Sequence, residues 1–383
     1  MSGDDRDERP ARAEAMEPGD VTGRLATDLP MEGHAEADAG PGWRSAGLRD
    51  GVLLIVLLGV VLSVLEVFAG NVLQTYALRI GVLVILVVAL NLANGFTGVF
   101  TLGQIGFMAL GAYFSAILTL SVEDKASYLP DLPSWLSGVS FDWMVGPVPA
   151  GWLLATLLSA LAVAGIAALV GAVLMRLSGP FVSVATLGFL VIVGVVLINA
   201  DTFTRGSRTF SGVQPYTDMW WAWAGAVVTV YVVWRIKRSS FGRAMFAQRG
   251  DRWAAMGTGI SVLRPRLTAF VVSAFFTAIA GSLYAHFLTS FSPKVFDFGL
   301  TFQVVTMLVV GGMGSVSGSV LGTIVVFALT EILRDLAGRT LLYGLDGILL
   351  ATFLIFVIVF RPSGIMGQRE ISLDRLFSPF RRG

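Results

Sequence analysis

Apolar residues along this chain come in long, nearly unbroken runs, and polar residues collect in the gaps between them. A helix that is hydrophobic all round belongs in a membrane or in the core of a large protein. Crossing about 30 Å of hydrocarbon takes roughly 17–25 helical residues. Runs of that kind fall at 51–69, 74–95, 99–121, 149–176, 180–200, 220–235, 267–289, 300–312, 315–333 and 341–360. The pattern predicts an all-α polytopic membrane protein with about ten transmembrane helices. The eighth run is short and ends at Gly311, Gly312 and Gly314. A re-entrant or broken helix is expected there, because backbone broken at membrane depth must be buried in protein or line a cavity.

Residues 1–50 show neither helical nor strand periodicity and are dense in Asp, Glu, Arg, Pro and Gly, so they read as a disordered tail. No short apolar core follows a basic start, as a secretory signal would require, and 51–69 reads as the first retained span.

Charge then orients the spans. Between Trp234 and Arg266 eight cations, Arg235, Lys237, Arg238, Arg243, Arg249, Arg252, Arg264 and Arg266, face one acid, Asp251. Such clusters beside spans stay in the cytoplasm. An even number of spans then places both termini inside. The connection at 123–142, with one lysine among its acids, falls outside, and Arg361, Arg369, Arg375, Arg381 and Arg382 fall inside. The organisation expected is a cytoplasmic tail at 1–50, a transmembrane domain at 51–367 containing a cytoplasmic loop at 235–266, and a C-terminal cytoplasmic tail at 368–383.

Composition narrows the chemistry. Hydrophobic residues make up 55% of the chain, mean hydropathy is +0.76, and charged residues are 14%, against about 25% in soluble domains. There is no cysteine, which removes disulfides and thiolate metal sites, and His34 and His286 are too few for a histidine-built metal centre. A P-loop needs lysine directly after glycine, whereas Lys125, Lys237 and Lys294 follow Asp, Ile and Pro. A G-x-S-x-G elbow is absent as well. A catalytic role, a bound cofactor and a nucleic-acid partner are not expected. Glu66, Arg79, His286, Glu331 and Asp346 have two readings: an ion relay within the membrane, or anchoring groups near span ends that reach the headgroups.

Small and neutral polar residues carry a further signal. Gly314, Gly318 and Gly322 recur every fourth residue, and Gly103, Gly106 and Gly111 stand with Ala109 and Ala112 on the third run. Such faces let helix backbones approach closely in lipid. Asn94-Gly95-Phe96-Thr97-Gly98 and Gly311-Gly312-Met313-Gly314-Ser315 interrupt apolar runs, one in each half of the chain. Paired breaks either mark a pathway between two repeats or serve close packing alone. Asn91, Asn94, Gln104, Thr186, Asn199 and Gln303 either line a path of modest polarity, suited to a zwitterion or small amide, or bond between helices for about 0.6–2 kcal/mol each.

The stretch Gly242-Arg243-Ala244-Met245-Phe246-Ala247-Gln248-Arg249-Gly250-Asp251-Arg252-Trp253-Ala254-Ala255, closed by Gly259-Ile260, resembles the ATPase-docking loop of branched-chain amino-acid ABC transporter permeases. It runs without a gap into Leu267-Thr268-Ala269-Phe270 and on to Ala280-Gly281-Ser282-Leu283-Tyr284-Ala285. Asn91-Leu92, Leu102-Gly103-Gln104, Gly111-Ala112-Tyr113, Gly179-Pro180-Phe181, Gly311 to Ser315 and Phe360-Arg361-Pro362-Ser363-Gly364 are similar to the LivM type of subunit. The resemblance covers residues 90–367; Phe246 stands where relatives often carry a base, and Gly250 where they often carry an acid.

The resemblance implies an ABC importer permease fold in a bacterial or archaeal inner membrane. A second, homologous permease would complete the pathway, two cytoplasmic ATPases would use ATP and Mg, and an extracytoplasmic binding protein would deliver substrate. Gly242, Arg243, Ala244, Met245, Arg249, Asp251 and Gly259 would form the docking element. Phe241, Met245, Trp253 and Met256 offer it an apolar surface, with Gly257 and Gly259 as a helix stop. The same loop could instead be an anchor lying on anionic lipid. Urea or short-amide import by the same architecture, an ion-coupled secondary transporter and a membrane scaffold are the alternatives.

Overall fold

The protein is described by a computed structural model covering residues 59–370, apart from 61, 65, 68–69, 178, 341–344, 362 and 368–369. The expected tail at 1–50, the expected tail at 368–383 apart from Glu370, and most of the first run lie outside the described residues.

Helix dominates, and among the described residues there is no strand, only two isolated bridges, Val145 with Val148 and Phe210 with Phe291. The elements are α1 (Asn71–Asn91), a π-helical turn (Leu92–Phe96), α2 (Gln104–Thr119), α3 (Val122–Tyr128) and α4 (Ser134–Ser137). They continue with α5 (Ala150–Leu174), α6 (Pro180–Asn199), α7 (Asp201–Thr204), α8 (Met219–Arg238), α9 (Ser240–Gly250) and α10 (Arg252–Gly257). The last four are α11 (Leu263–Leu288), α12 (Phe298–Gly311), α13 (Val316–Thr340) and α14 (Leu345–Phe360).

Seven described helical spans are long and apolar enough to cross a membrane, and α2 with α3, bent by 117° at their junction, make an eighth. The short run at 300–312 gains length from a preceding turn, giving an apolar span of 19 residues over Pro293–Gly311. The run at 99–121 loses length instead. Residues 97–103 are non-helical, with Gly98 at φ 71°, and α2 starts only at Gln104.

Burial sorts these spans. The apolar window of the span beginning at Asn71 is 83% buried, against 28% in α5 and in α6. The first is a central post, packed by α8, α11, α13 and α12, and the other two present Leu169, Phe181 and Val184 outward, as lipid-facing helices do.

Glycines set the closest approaches between helices. A methyl on Gly111 would lie 2.5 Å from Ala278 Cα, and one on Gly281 would lie 2.1 Å from Met108 O, so α2 and α11 meet backbone to backbone. Between α12 and α13 the same holds for Gly318, 2.6 Å from Gly311 O, and for Gly322, 2.5 Å from Gly311 Cα. A methyl on Gly103 would lie 2.6 Å from Thr186 O. Gly314 is different: it lies outside any helix at φ 102°, in the turn before α13.

A ladder of buried polar pairs runs along the α2–α11 seam. Gln104 Nε2 donates to Ser273 Oγ (2.5 Å) and Thr277 Oγ1 (2.7 Å), Ser115 and Ser282 share a bond of 2.6 Å, and Thr119 Oγ1 meets His286 Nε2 at 2.8 Å. His286 is fully buried, stacked on Tyr216 and beside Trp152. Arg79 pairs with Glu331 at 3.3 Å, and Glu66 accepts the indole N–H of Trp220 at 2.8 Å. The side chain of Asp346 lies outside the described residues.

Candidate functional site

Where α8 ends, the basic loop folds back beneath the spans. Ser239 caps α9 by accepting the amide of Gly242 at 3.3 Å. Gly242 itself presses on the last carbonyls of α8: a Cβ there would fall 2.2 Å from Lys237 O, so only glycine permits so tight a corner. The corner turns one side of α9 inward, carrying Met245, the adjacent Phe246 and, one turn after Met245, Arg249.

These side chains meet both interruptions of the apolar runs at once. The Arg249 guanidinium donates to Gly95 O in the π-helical turn and, at 3.4 Å, to Met313 O after α12. Carbonyls at helix C-termini carry partial negative charge, and the two N–H groups of Nη1 bridge two of them. Burial disfavours the charged guanidinium and lowers its pKa from the ordinary value. The Phe246 ring packs on Phe96 with centroids 5.1 Å apart.

A second cation reinforces the same junction. Lys237 Nζ donates to Gly314 O (2.7 Å) and Glu370 Oε1 (2.5 Å), and lies 5.7 Å from the Phe96 ring and 5.8 Å from that of Phe246. Glu370 in turn caps α13, accepting from Val316 N (2.8 Å), Ser317 N (3.0 Å) and Ser317 Oγ (2.5 Å). Burial alone would raise this carboxyl, but the bonds from Lys237, Ser317 and Val316 hold it below the ordinary carboxylate value. Asn91 completes the junction, since its Oδ1 accepts Gly314 N and its Nδ2 donates to Ser315 O and Ser319 Oγ, all at 2.8 Å.

The two breaks, more than two hundred positions apart in sequence, are thus one physical node, gripped from below by α9. Space is reserved for the grip. A methyl on Gly98 would lie 2.9 Å from Arg249 Cγ, and one on Gly314 would lie 2.8 Å from its Nη1. The chain after α14 joins too, with Ile365 N donating to Val310 O (2.8 Å) and Met366 N to Gly311 O (3.2 Å). A displacement of α9 has a direct route into the adjoining ends of α1, α12 and α13.

The remaining expected docking residues fall on the outer side of the loop or at its turns. Arg243 is exposed, and its nearest recorded partner is Arg238 O at 3.5 Å. Ala244 is half-buried beside it. Asp251 caps α10 by accepting Trp253 N (2.8 Å) and Ala254 N (3.1 Å), and Gly259, at φ 82°, closes that helix. Met245 does not belong to the outer apolar surface. It is 1% exposed within the main core, because it shares the inward face with Arg249 one turn on. The outward apolar set is Phe241, Trp253 and Met256.

Of the expected pathway residues, four are buried and bonded within the fold. Asn91 ties the node, and Asn94 binds Thr101 through three bonds that shape the 94–101 loop. Gln104 bridges to α11, although its Oε1 has no partner among the described residues. Thr186 accepts the amide of Leu102 at 3.0 Å and donates to Val182 O at 2.8 Å. Gln303 is half-buried and forms no bond with a described residue. Lys237 and Glu370 were not singled out by sequence reasoning as partners. They lie 133 positions apart, and nothing local in either segment signals the other.

Among the described residues no group of histidines and acids could hold a metal ion. A family model described as the branched-chain amino acid transport system / permease component matches residues 72–359. The high-affinity branched-chain amino acid transport system permease protein LivM of Escherichia coli K12 is 28% identical over 317 residues, covering 74% of this chain and 67% of that protein. LivH of the same transport system in E. coli K12 is 26% identical over 195 residues, covering 46% and 62%. The L-arabinose ABC transporter permease protein AraH of Azospirillum brasilense is 27% identical over 124 residues, covering 32% and 35%. No solved structure gives a significant match.

Proposed function

This chain belongs to the family of permease components of branched-chain amino acid transport systems, and we propose that it is the transmembrane subunit of an ATP-driven importer for branched-chain or other apolar amino acids. It forms half of the translocation pathway, with a second, similar permease as the other half. Two ATPases dock on α9 and α10 from the cytoplasm, and an extracytoplasmic protein delivers the substrate. The chain performs no covalent chemistry and binds no cofactor; ATP and Mg are used by the ATPases. It sits in the cell (inner) membrane with both termini in the cytoplasm.

The observation that carries this reading is the grip of Arg249 on Gly95 and Met313. A loop serving only as a topological anchor has no need to bury a cation against two helix ends, because moving a guanidinium out of water is costly unless its donors are used. A loop that passes movement inward has that need. The outer face of the same loop, with Phe241, Trp253 and Met256 among arginines, suits the groove of a soluble partner. Gln303, half-buried and unbonded, is the pathway candidate left open to a passing substrate.

The test is uptake by the assembled transporter in proteoliposomes. Leucine should accumulate only with ATP on the ATPase side and binding protein on the other. Uptake driven by an ion gradient without nucleotide would assign the chain to secondary transport. ATP-driven uptake of urea in preference to leucine would assign it to short amides.

A further inference from the structure

Beside the docking loop lies an open cleft of about 430 Å³. Its walls are the end of α5 (Met175, Arg176), the short helix α10 (Arg252, Met256) and the turn leading into α11 (Ile260, Leu263). The helices α5 and α11 pack along one another, and Gly171 allows the approach: a methyl there would fall 2.7 Å from the Phe270 ring. Because α5 ends at Leu174 and α11 begins at Leu263, the cleft opens where the apolar stretches of two adjacent spans give out. That is the depth at which hydrocarbon yields to headgroups.

The charge of the cleft is unbalanced. Arg176 is exposed and Arg252 half-buried, and both line the cleft. Among the described residues the ion pairs are Arg79 with Glu331, Lys237 with Glu370 and Arg334 with Glu331, and none reaches this group. Two cations beside an apolar wall, with no acid in the lining of the cleft, call for an anion from outside the chain that also carries apolar surface.

We propose that the cleft binds the phosphate of an anionic lipid of the cytoplasmic leaflet, with Arg176 and Arg252 on the headgroup and Met175 and Leu263 against the start of the acyl chains. A lipid is favoured over an acidic protein segment because two of the three walls are span ends.

The complete transporter, purified in detergent, should retain phosphatidylglycerol in preference to phosphatidylcholine when assayed by native mass spectrometry. Replacing both arginines, Arg176→Gln with Arg252→Gln, should lower retention at least about tenfold, as expected for two cations lost near a charged surface. Arg176→Lys with Arg252→Lys should keep most of it, which separates charge from misfolding. Equal retention by the Gln pair would overturn the proposal. So would loss of ATPase co-purification with lipid retention unchanged, which would make the cleft a protein seat. Displacement of the lipid by millimolar inorganic phosphate would show a simple anion site and overturn it as well.

Discussion

Arg249 concentrates most of what this fold does with single residues. Its position in the docking motif is legible in the sequence, but its targets are not, since they are backbone carbonyls at Gly95 and Met313 on distant segments. Asn91 was legible as a polar residue in an apolar run, though not as the clasp between α1 and the start of α13. Lys237 reads in sequence as one more cation holding the loop inside, and only the fold adds its bond to Gly314 O. A hydrogen bond from a charged group contributes about 1.5–3 kcal/mol, and every 1.4 kcal/mol is roughly a tenfold change. Replacing Arg249 with Gln should accordingly lower uptake about tenfold or more while ATP hydrolysis continues. Arg249→Lys should be intermediate, because the ammonium keeps the charge but sits on a shorter, more flexible stem than the planar guanidinium whose Nη1 serves both carbonyls. The ratio of leucine transported to ATP hydrolysed in proteoliposomes is the measurement. An unchanged ratio in both variants would reduce Arg249 to an anchor.

At the scale of elements, periodicity found the spans but not where they stop. Uniformly apolar runs carry no face, so the sequence does not distinguish the buried central post α1 from the outward α5 and α6. The glycine breaks were visible, and their meeting was not, because contact between residues 94–98 and 311–315 is set by how whole helices pack. The docking helix shows the same limit more sharply. Met245 and Trp253 look alike in sequence as apolar residues among arginines, yet one is in the core and the other is 77% exposed. Their substitutions should separate cleanly. Met245→Ala opens a cavity beside Leu92 and Val272 and should cost about 2–5 kcal/mol, read as a lower melting temperature of the purified protein. Trp253→Asp with Phe241→Asp should leave the melting temperature near that of the unaltered protein and reduce ATPase co-purification. If the exposed pair proved destabilising and Met245→Ala proved silent, the inner and outer sides of the α9–α10 loop would be exchanged.

For the whole molecule, orientation decides whether the node and the docking face can do what is proposed of them. In the proposed orientation, which rests on charge asymmetry, α9 and α10 are cytoplasmic, and the segment after the bend of α2, with exposed Glu123 on α3 and Trp135 on α4, is outside. Lys125 is a poor reporter of that side despite being its one lysine. It is 1% exposed, and its ammonium donates to the carbonyls of Leu136 and Val139. A thiol placed there would report burial and not sidedness. The absence of native cysteine makes each introduced thiol unique. In intact cells an impermeant maleimide should label Glu123→Cys and Trp135→Cys, and should reach Trp253→Cys only after the membrane is permeabilised. Trp253 suits the inner position because it is exposed, so failure to label it in intact cells reflects the bilayer and not the fold. Labelling of Trp253→Cys from outside, with Glu123→Cys protected, would turn the molecule over. The grip of Arg249 would then face away from any source of ATP, and the coupling reading would fall with the orientation.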